Sequence, residues 1–394
     1  MLSDVVVAGV GMIPFTKPGQ SETYDVMGRK AAAAAFADAG LPYEAAQQVY
    51  VGYVYGDSTA GQAAVYGLGL SGVPIINVNN NCSTGSSALF LARQAVQSGM
   101  VECALALGFE EMRPGALGAT FSDRPSPMAR SAKLMVDLQG IDPQAPGAAQ
   151  YFGGAGREYA EKHGTRRETF AKIASKARDH AANNPFAIFR TPLNVEEVLG
   201  SPQIYGPLTR FQCCPPTCGA AAAIVCSPEF ARRHGVRSDV VIKAQAMTTD
   251  GPSTFDDGSM IKLIGYDMAK AAASQTYEAA GIGPEDVQVV ELHDCFTANE
   301  LLTYEAIGLT PEGSAEQYIW DGQNTYGGRH VTNPSGGLLS KGHPLGATGL
   351  AQCAELVWQL RGQAEKRQVD GVVHALQHNL GLGGACVVTL YGRA

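Results

Sequence analysis

The sequence predicts an α/β protein made of two similar β–helix–β halves, with a loop domain inserted in the first, and three observations carry that prediction. Residues 31–57 (AAAAAFADAGLPYEAAQQVYVGYVYGD) resemble residues 269–296 (AKAAASQTYEAAGIGPEDVQVVELHDCF) at an offset of about 241 residues, a domain-length internal repeat. A second repeated pair follows in the same order, and a proline-rich middle section breaks the pattern.

In the first pair, each copy is an alanine-rich amphipathic helix with a glycine stop (Gly40, Gly281), a short acidic turn (Glu44, Glu285) and then a β-rich run. In the second, residues 82–99 (CSTGSSALFLARQAVQSG) match residues 344–362 (PLGATGLAQCAELVWQLRG), each a glycine-containing turn opening a helix. Another apolar run follows each, CALALGF from Cys103 and GVVHALQHN from Gly371. Units of this kind form mostly parallel sheets with helices on their faces. The middle reads as a loop domain that returns to the first half through the buried-strand run GAAAAIVCSP. The expected boundaries are 1–111 for the first part of the N-terminal half and 112–220 for the loop domain. Residues 221–250 are the return strand of the N-terminal half, and 251–394 the C-terminal half.

With 394 residues, 45% hydrophobic and 17% charged, the chain can bury a large core. A formal charge of -8 argues against nucleic-acid or membrane-surface partners, which want a basic face. No apolar run approaches the roughly 20 residues of a membrane span. The start MLSD runs directly into strand-like VVVAGVGM without a signal-peptide n-region, and the C-terminal GRA is not a peroxisomal SKL-type address. A cytoplasmic location is expected. Nine irregularly spaced cysteines fit reduced thiols better than a disulfide framework.

Four segments hold residues that can carry chemistry. Cys82 lies between the plausible strand PIINVNNN and a helix with a small, polar first turn. Unpaired N–H groups and the helix dipole there favour thiolate and can hold an oxyanion. On position alone a small buried cysteine at a tight turn is the better explanation, and Cys82 is a candidate nucleophile. His343 sits in the glycine-lined NPSGGLLSKGHPLGATGL, where Gly342, Gly346 and Gly349 permit close approach. It could cap a helix start, or take a proton from a cysteine. The repeat makes its turn the counterpart of the Cys82 turn, so a pseudo-twofold would bring the two together.

In ELHDCFTANELL an apolar strand ends in His293, Asp294 and Cys295, at the usual ligand-binding edge of an α/β sheet. Cys295 could serve as acid/base and His293 as hydrogen-bond donor; packing is the alternative for both. Zinc is not expected, because no second pair at ligand spacing accompanies them. The turn in LQHNLGLGGACVVTLY, with Gly381, Gly383 and Gly384, could present N–H groups to a reacting carbonyl or be a plain hairpin. A strand rather than a helix follows, which discounts a dinucleotide site. Cys213, Cys214, Cys218 and Cys226 lack paired CxxC units and read as packing or solvent-facing thiols rather than metal ligands.

Together these segments resemble the thiolases over nearly the whole chain, and GHPLGATG is highly specific to that superfamily. NNNCSTGSSALF and VGYVYGDST, with HDCF in place of the usual NEAF and HNLGLGG in place of CxG, look like the sterol-carrier-protein type. The resemblance implies a thiolase fold of two halves related by a pseudo-twofold, layered α/β/α/β/α with a loop domain, assembled as a homodimer or a dimer of dimers. It implies cleavage of a 3-oxoacyl-CoA by CoA in fatty-acid or sterol side-chain β-oxidation, with CoA as substrate and no separate cofactor or metal. Cys82 would be the nucleophile, His343 its base, Cys295 the second acid/base and His293 a support for a thioester oxygen. The N–H groups of Cys82 and Gly381 would form an oxyanion hole, and Asn379 stands where the usual second cysteine would be. Arginines and lysines of the loop domain would hold the CoA phosphates. No sterol-carrier domain is expected after Tyr391. A retro-aldolase-like lyase and a non-catalytic acyl-CoA or lipid binder are the rival functions.

Overall fold

The repeated sequence segments become repeated units in space. In the computed structural model, which describes residues 4–115, 118–119 and 121–394, the helices Tyr24–Ala39 and Tyr266–Ala280 each end at a left-handed glycine, Gly40 (φ 67°) and Gly281 (φ 69°). The absent Cβ lets the glycine close the last turn. A single 3₁₀ turn then leads into a strand in both copies.

The strands are β1 (Val6–Met12), β2 (Gln48–Gly52), β3 (Ile75–Val78), β4 (Cys103–Glu110), β5 (Gln203–Tyr205), β6 (Leu208–Thr209), β7 (Gly219–Cys226), β8 (Val240–Thr248), β9 (Val289–Glu291), β10 (Val331–Thr332), β11 (His374–Gly381) and β12 (Ala385–Arg393). The N-terminal half has the order β3-β2-β4-β7-β1 and the C-terminal half the same order, β10-β9-β11-β12-β8. The halves meet where Val6 of β1 pairs with Val241 of β8.

Each half is mixed rather than mostly parallel. β3, β2 and β4 pair in parallel, as do β10, β9 and β11. β7 runs antiparallel to β4 and β1, and β12 to β11 and β8. For β12 the cause is local: a turn through Gly383 (φ 101°) and Gly384 (φ 105°) reverses the chain too tightly for a parallel crossover. A second correction concerns residues 240–248, placed with the N-terminal half by their position in sequence. β8 pairs with β12 over eight residues, Val240 to Thr248, and with β1 at one position, so it is the first strand of the C-terminal half. β7 also begins at Gly219, inside the stretch expected to be loop domain.

The helices Thr84–Gln97 and Thr348–Arg361 lie between the two halves of the ten-stranded sheet. Their Leu89, Ala92, Val96, Leu350, Ala351 and Leu356 share one buried cluster with Val7, Ala106 and Ala375 of the flanking strands. Helix Tyr24–Ala39 covers the outer face of the N-terminal half of the sheet and Tyr266–Ala280 that of the C-terminal half. Each layer buries an apolar stripe or face against the next. The loop domain packs its helices Gly147–His163 and Arg167–Ala181 on Thr297–Ala306 of the C-terminal half, through the Tyr159–Glu305 and Lys176–Glu300 contacts. Its last stretch, residues 213–218, crosses the sheet edge as a strap: Cys213 bridges Phe296, Pro216 bridges His343 and Cys218 bridges Thr16.

Candidate active site

The site forms where the starts of the two central helices touch. A Cβ on Gly349 would lie 2.2 Å from Ser86 Oγ, and one on Gly85 2.6 Å from the Gly346 carbonyl oxygen. Only glycines permit that approach. It brings the turn carrying Cys82 against the turn carrying His343, the meeting expected of counterpart turns. Asn81, at φ 51°, bends the chain between β3 and the helix in a left-handed conformation that asparagine tolerates better than most residues.

Cys82 Sγ and a ring nitrogen of each of His293 and His343 all lie within 4.8 Å of one another. His293 and Cys295 follow the carboxyl end of β9 and are 1% and 4% exposed. Cys295 is close enough to Cys82 and Cys214 for the three thiols to act on one another electrostatically. The Cys214 N–H also donates to the Cys295 carbonyl at 2.9 Å. The strap therefore forms one wall of the site, a role the CCPPTC spacing did not suggest.

Hydrogen bonds fix the two histidines in opposite tautomers. Thr348 Oγ1 donates to the Pro344 carbonyl (3.0 Å) and contacts His343 Nδ1 (2.7 Å). With its one hydrogen assigned to the carbonyl, Thr348 accepts from a protonated Nδ1. Nε2, buried and without a partner, keeps its lone pair. Asn379 Nδ2 donates to the Cys82 carbonyl (3.1 Å) and to His293 Nδ1 (3.0 Å), so His293 accepts at Nδ1 and is protonated at Nε2. Thr348 and Asn379 thus set a base on one side and a donor on the other. The His343 main-chain N–H donates to Thr217 Oγ1 (3.0 Å) in the strap.

The electrostatics correct one expectation. Burial, with the neighbouring Glu110, pushes the Cys82 thiol up to about 12, although its own N–H and that of Leu382 pull the other way. Loss of solvent outweighs the helix-start N–H groups, so Cys82 rests as a thiol. Burial also holds His343 down at about 3 and His293 well below the ordinary histidine range. Cys295 is raised by burial and by the neighbouring thiols. Gly381 reaches the Cys82 turn, where a Cβ would lie 2.2 Å from the Asn80 carbonyl oxygen. The second N–H aimed at Cys82 Sγ belongs to Leu382, one residue later.

Glu110, at the end of β4, was not singled out in the sequence. Buried beside Cys82, its carboxylate accepts from Tyr55 N–H (2.8 Å), Val54 N–H (3.1 Å) and Gly346 N–H (2.9 Å). It ties the loop after β2 to the His343 turn.

The sequence matches the family model for the thiolase N-terminal domain over residues 5–229 and that for the thiolase C-terminal domain-like family over 254–391. The chain belongs to the thiolase family. Among its relatives is sterol carrier protein 2 of Oryctolagus cuniculus, 57% identical, with 99% of this chain and 72% of that one aligned. Non-specific lipid-transfer protein-like 2 of Caenorhabditis elegans is 45% identical over 98% of this chain and 95% of its own. The benzoylsuccinyl-CoA thiolase subunit BbsB of Thauera aromatica is 38% identical over 97% and 95%. Two solved structures share the thiolase fold: the Ltp2-ChsH2(DUF35) aldolase (TM-score 0.84, 24% identity, 100% and 99% covered) and human mitochondrial 3-ketoacyl-CoA thiolase (0.74, 20%, 100% and 99%).

Proposed function

We propose that this thiolase-family chain cleaves a 3-oxoacyl-CoA with CoA, through an acyl-Cys82 intermediate, in fatty-acid or sterol side-chain oxidation. The observation that carries the reading is the pair of opposite tautomers around Cys82. A bare Nε2 on His343 can accept the thiol proton, and a protonated Nε2 on His293 can donate to the substrate oxygen.

Cys82 gives its proton to His343 Nε2 as its sulfur attacks the 3-keto carbon, the imidazole supplying what the buried thiol lacks. The bond between C2 and C3 breaks, the acyl group stays on Cys82, and the carbanion of the departing thioester takes the Cys295 proton as acetyl-CoA, or propionyl-CoA from a 2-methyl-branched substrate. Cys295, now a thiolate, takes the proton of CoA, whose sulfur attacks the acyl-Cys82 carbonyl. Cys82 leaves as thiolate and recovers its proton from His343. The N–H of Cys82 and the Gly381–Leu382 main chain, whose Leu382 N–H is aimed at Cys82 Sγ, are assigned to one substrate oxygen, His293 and the protonated His343 to the other. Asn379 supports His293, and CoA enters only as substrate.

The assembly we infer is a homodimer. β3 ends the sheet with an unpaired edge, and around it Leu70 and Met100 are 81% and 69% exposed. An open edge flanked by apolar side chains is a template for a second copy. Among the described residues no helix is long and apolar enough to cross a membrane, and we propose a cytoplasmic location.

The test is intact-mass analysis after mixing with acetyl-CoA, together with thiolysis of straight-chain, 2-methyl-branched and sterol-side-chain 3-oxoacyl-CoAs. The expected results are an acyl adduct that Cys82→Ala abolishes, and CoA-dependent cleavage. Neither adduct nor cleavage would leave a binding protein, and aldol cleavage independent of CoA would leave a lyase.

A further inference from the structure

Cys82, His293 and His343 have the makings of a metal trap. Their ligand atoms lie within 4.8 Å of one another, against the roughly 3.3–3.6 Å ligand spacing that zinc bond lengths imply. His343 Nε2 is buried, unpartnered and unprotonated, and a thiol ionises readily on a soft cation. Two of three ligands are therefore ready. The third is not, because both ring nitrogens of His293 are taken: Nδ1 accepts from Asn379 and Nε2 carries the proton.

We propose that Asn379 is a positioning residue that locks the tautomer of His293 and thereby keeps this cluster from capturing a divalent metal. To ligate, His293 would have to move its proton from Nε2 to Nδ1, where it would meet the Asn379 N–H at 3.0 Å, donor against donor. Asn379 cannot turn over to present its oxygen instead. Its Nδ2 also donates to the Cys82 carbonyl, and its Oδ1 accepts from Ser86 Oγ at 2.8 Å.

That polarity is anchored further back. Tyr391 O–H donates to Gln377 Oε1, and Gln377 Nε2 donates to the Gly349 carbonyl and to Ser86 Oγ. Ser86 must in turn donate onward to Asn379. Main-chain carbonyls, which can only accept, fix the direction of every bond in the chain. The tautomer and the metal argument stand on these bonds alone. Only the use of the His293 N–H on a substrate oxygen rests on the thiolysis reading.

The experiment compares the full-length wild type with Asn379→Asp and Asn379→Ala, using Co²⁺ and Zn²⁺ as probes. Aspartate accepts a proton at Nδ1 and alanine leaves it free, so both variants should bind the metals more tightly, on the order of 10–100-fold as for other outer-shell changes. The bound Co²⁺ should give a thiolate-to-cobalt absorption that is lost when Cys82→Ala is added. Equal affinity in all three proteins would overturn the proposal. Should either variant fail to fold, nitrogen-15 NMR of the wild-type imidazole rings decides alone. A bare Nδ1 and protonated Nε2 on His293 is expected, and the reverse tautomer refutes the lock. Neither measurement uses an acyl-CoA, so failure of thiolysis and failure of this proposal are separable.

Discussion

The imidazoles of His293 and His343 meet edge to face, with ring centroids 5.1 Å apart and planes at 84°, yet they carry their protons on opposite nitrogens. The partner that decides this for His343 is the Thr348 hydroxyl. As His343 takes the Cys82 proton it becomes a cation, and the bond to Thr348 becomes charge-assisted. Such bonds contribute about 1.5–3 kcal/mol, or roughly 10–100-fold in rate. Thr348→Val should lower kcat by that factor with little change in KM, and Thr348→Ser should restore most of it. Equal kcat in the threonine, valine and serine proteins would refute the assignment.

The pH behaviour of the site follows from two displaced groups. Cys82, pushed up to about 12, is almost wholly protonated across the neutral range. Its alkylation by iodoacetamide should therefore keep rising from pH 7 to pH 10 without a plateau; a plateau below pH 8 would mean a stabilised thiolate. His343, held at about 3, stays unprotonated at all higher pH. The kcat/KM profile should then lack the acid limb near the ordinary histidine value of about 6.5.

Much of this was legible in the sequence because a repeat leaves a visible trace. The glycine stops at Gly40 and Gly281 and the two glycine-containing turns before the central helices give the pseudo-twofold, and with it the meeting of Cys82 and His343. What was not legible depends on contacts between distant segments. Nothing local to Thr348, Glu110 or the Cys213–Cys218 strap reveals that they converge on one site. The rise of the Cys82 thiol was hidden for a related reason: helix-start N–H groups can be read locally, but burial is a property of the whole fold. β8 was misplaced because its apolar pattern fits either half, and only pairing with β12 decides.

Glu110 supports a stability prediction with a definite sign. Its two oxygens accept three main-chain N–H groups, and Glu110→Gln must turn an NH₂ toward at least one of them. The cost should be about 1–3 kcal/mol, that of an unsatisfied buried donor. Burial raises the wild-type carboxyl to about 7, above its unfolded value. Its contribution is therefore fully present below the unfolded pKa of about 4.3 and is lost as pH rises through about 7. The gap in urea unfolding free energy between wild type and Glu110→Gln should be wider at pH 5.5 than at pH 8.5. A gap that widens with pH would mean the carboxyl is depressed instead.

The meeting of the two halves can itself be tested at Gly349. A Cβ there would lie 2.2 Å from Ser86 Oγ, 2.3 Å from Ser86 N and 2.6 Å from Asn379 Oδ1. The hydroxyl can rotate away, but the main-chain nitrogen cannot, so Gly349→Ala must push the two central helix starts apart. Overpacking of this kind costs about 1–3 kcal/mol. Because the same displacement separates His343 from Cys82, activity should fall further than stability alone explains. Even a shift of about 1 Å can cost on the order of 100-fold. Gly147→Ala is the control, since a Cβ there meets nothing within 4 Å. Wild-type thiolysis and an unchanged unfolding midpoint in Gly349→Ala would show that the helix starts do not need this contact to hold the site together.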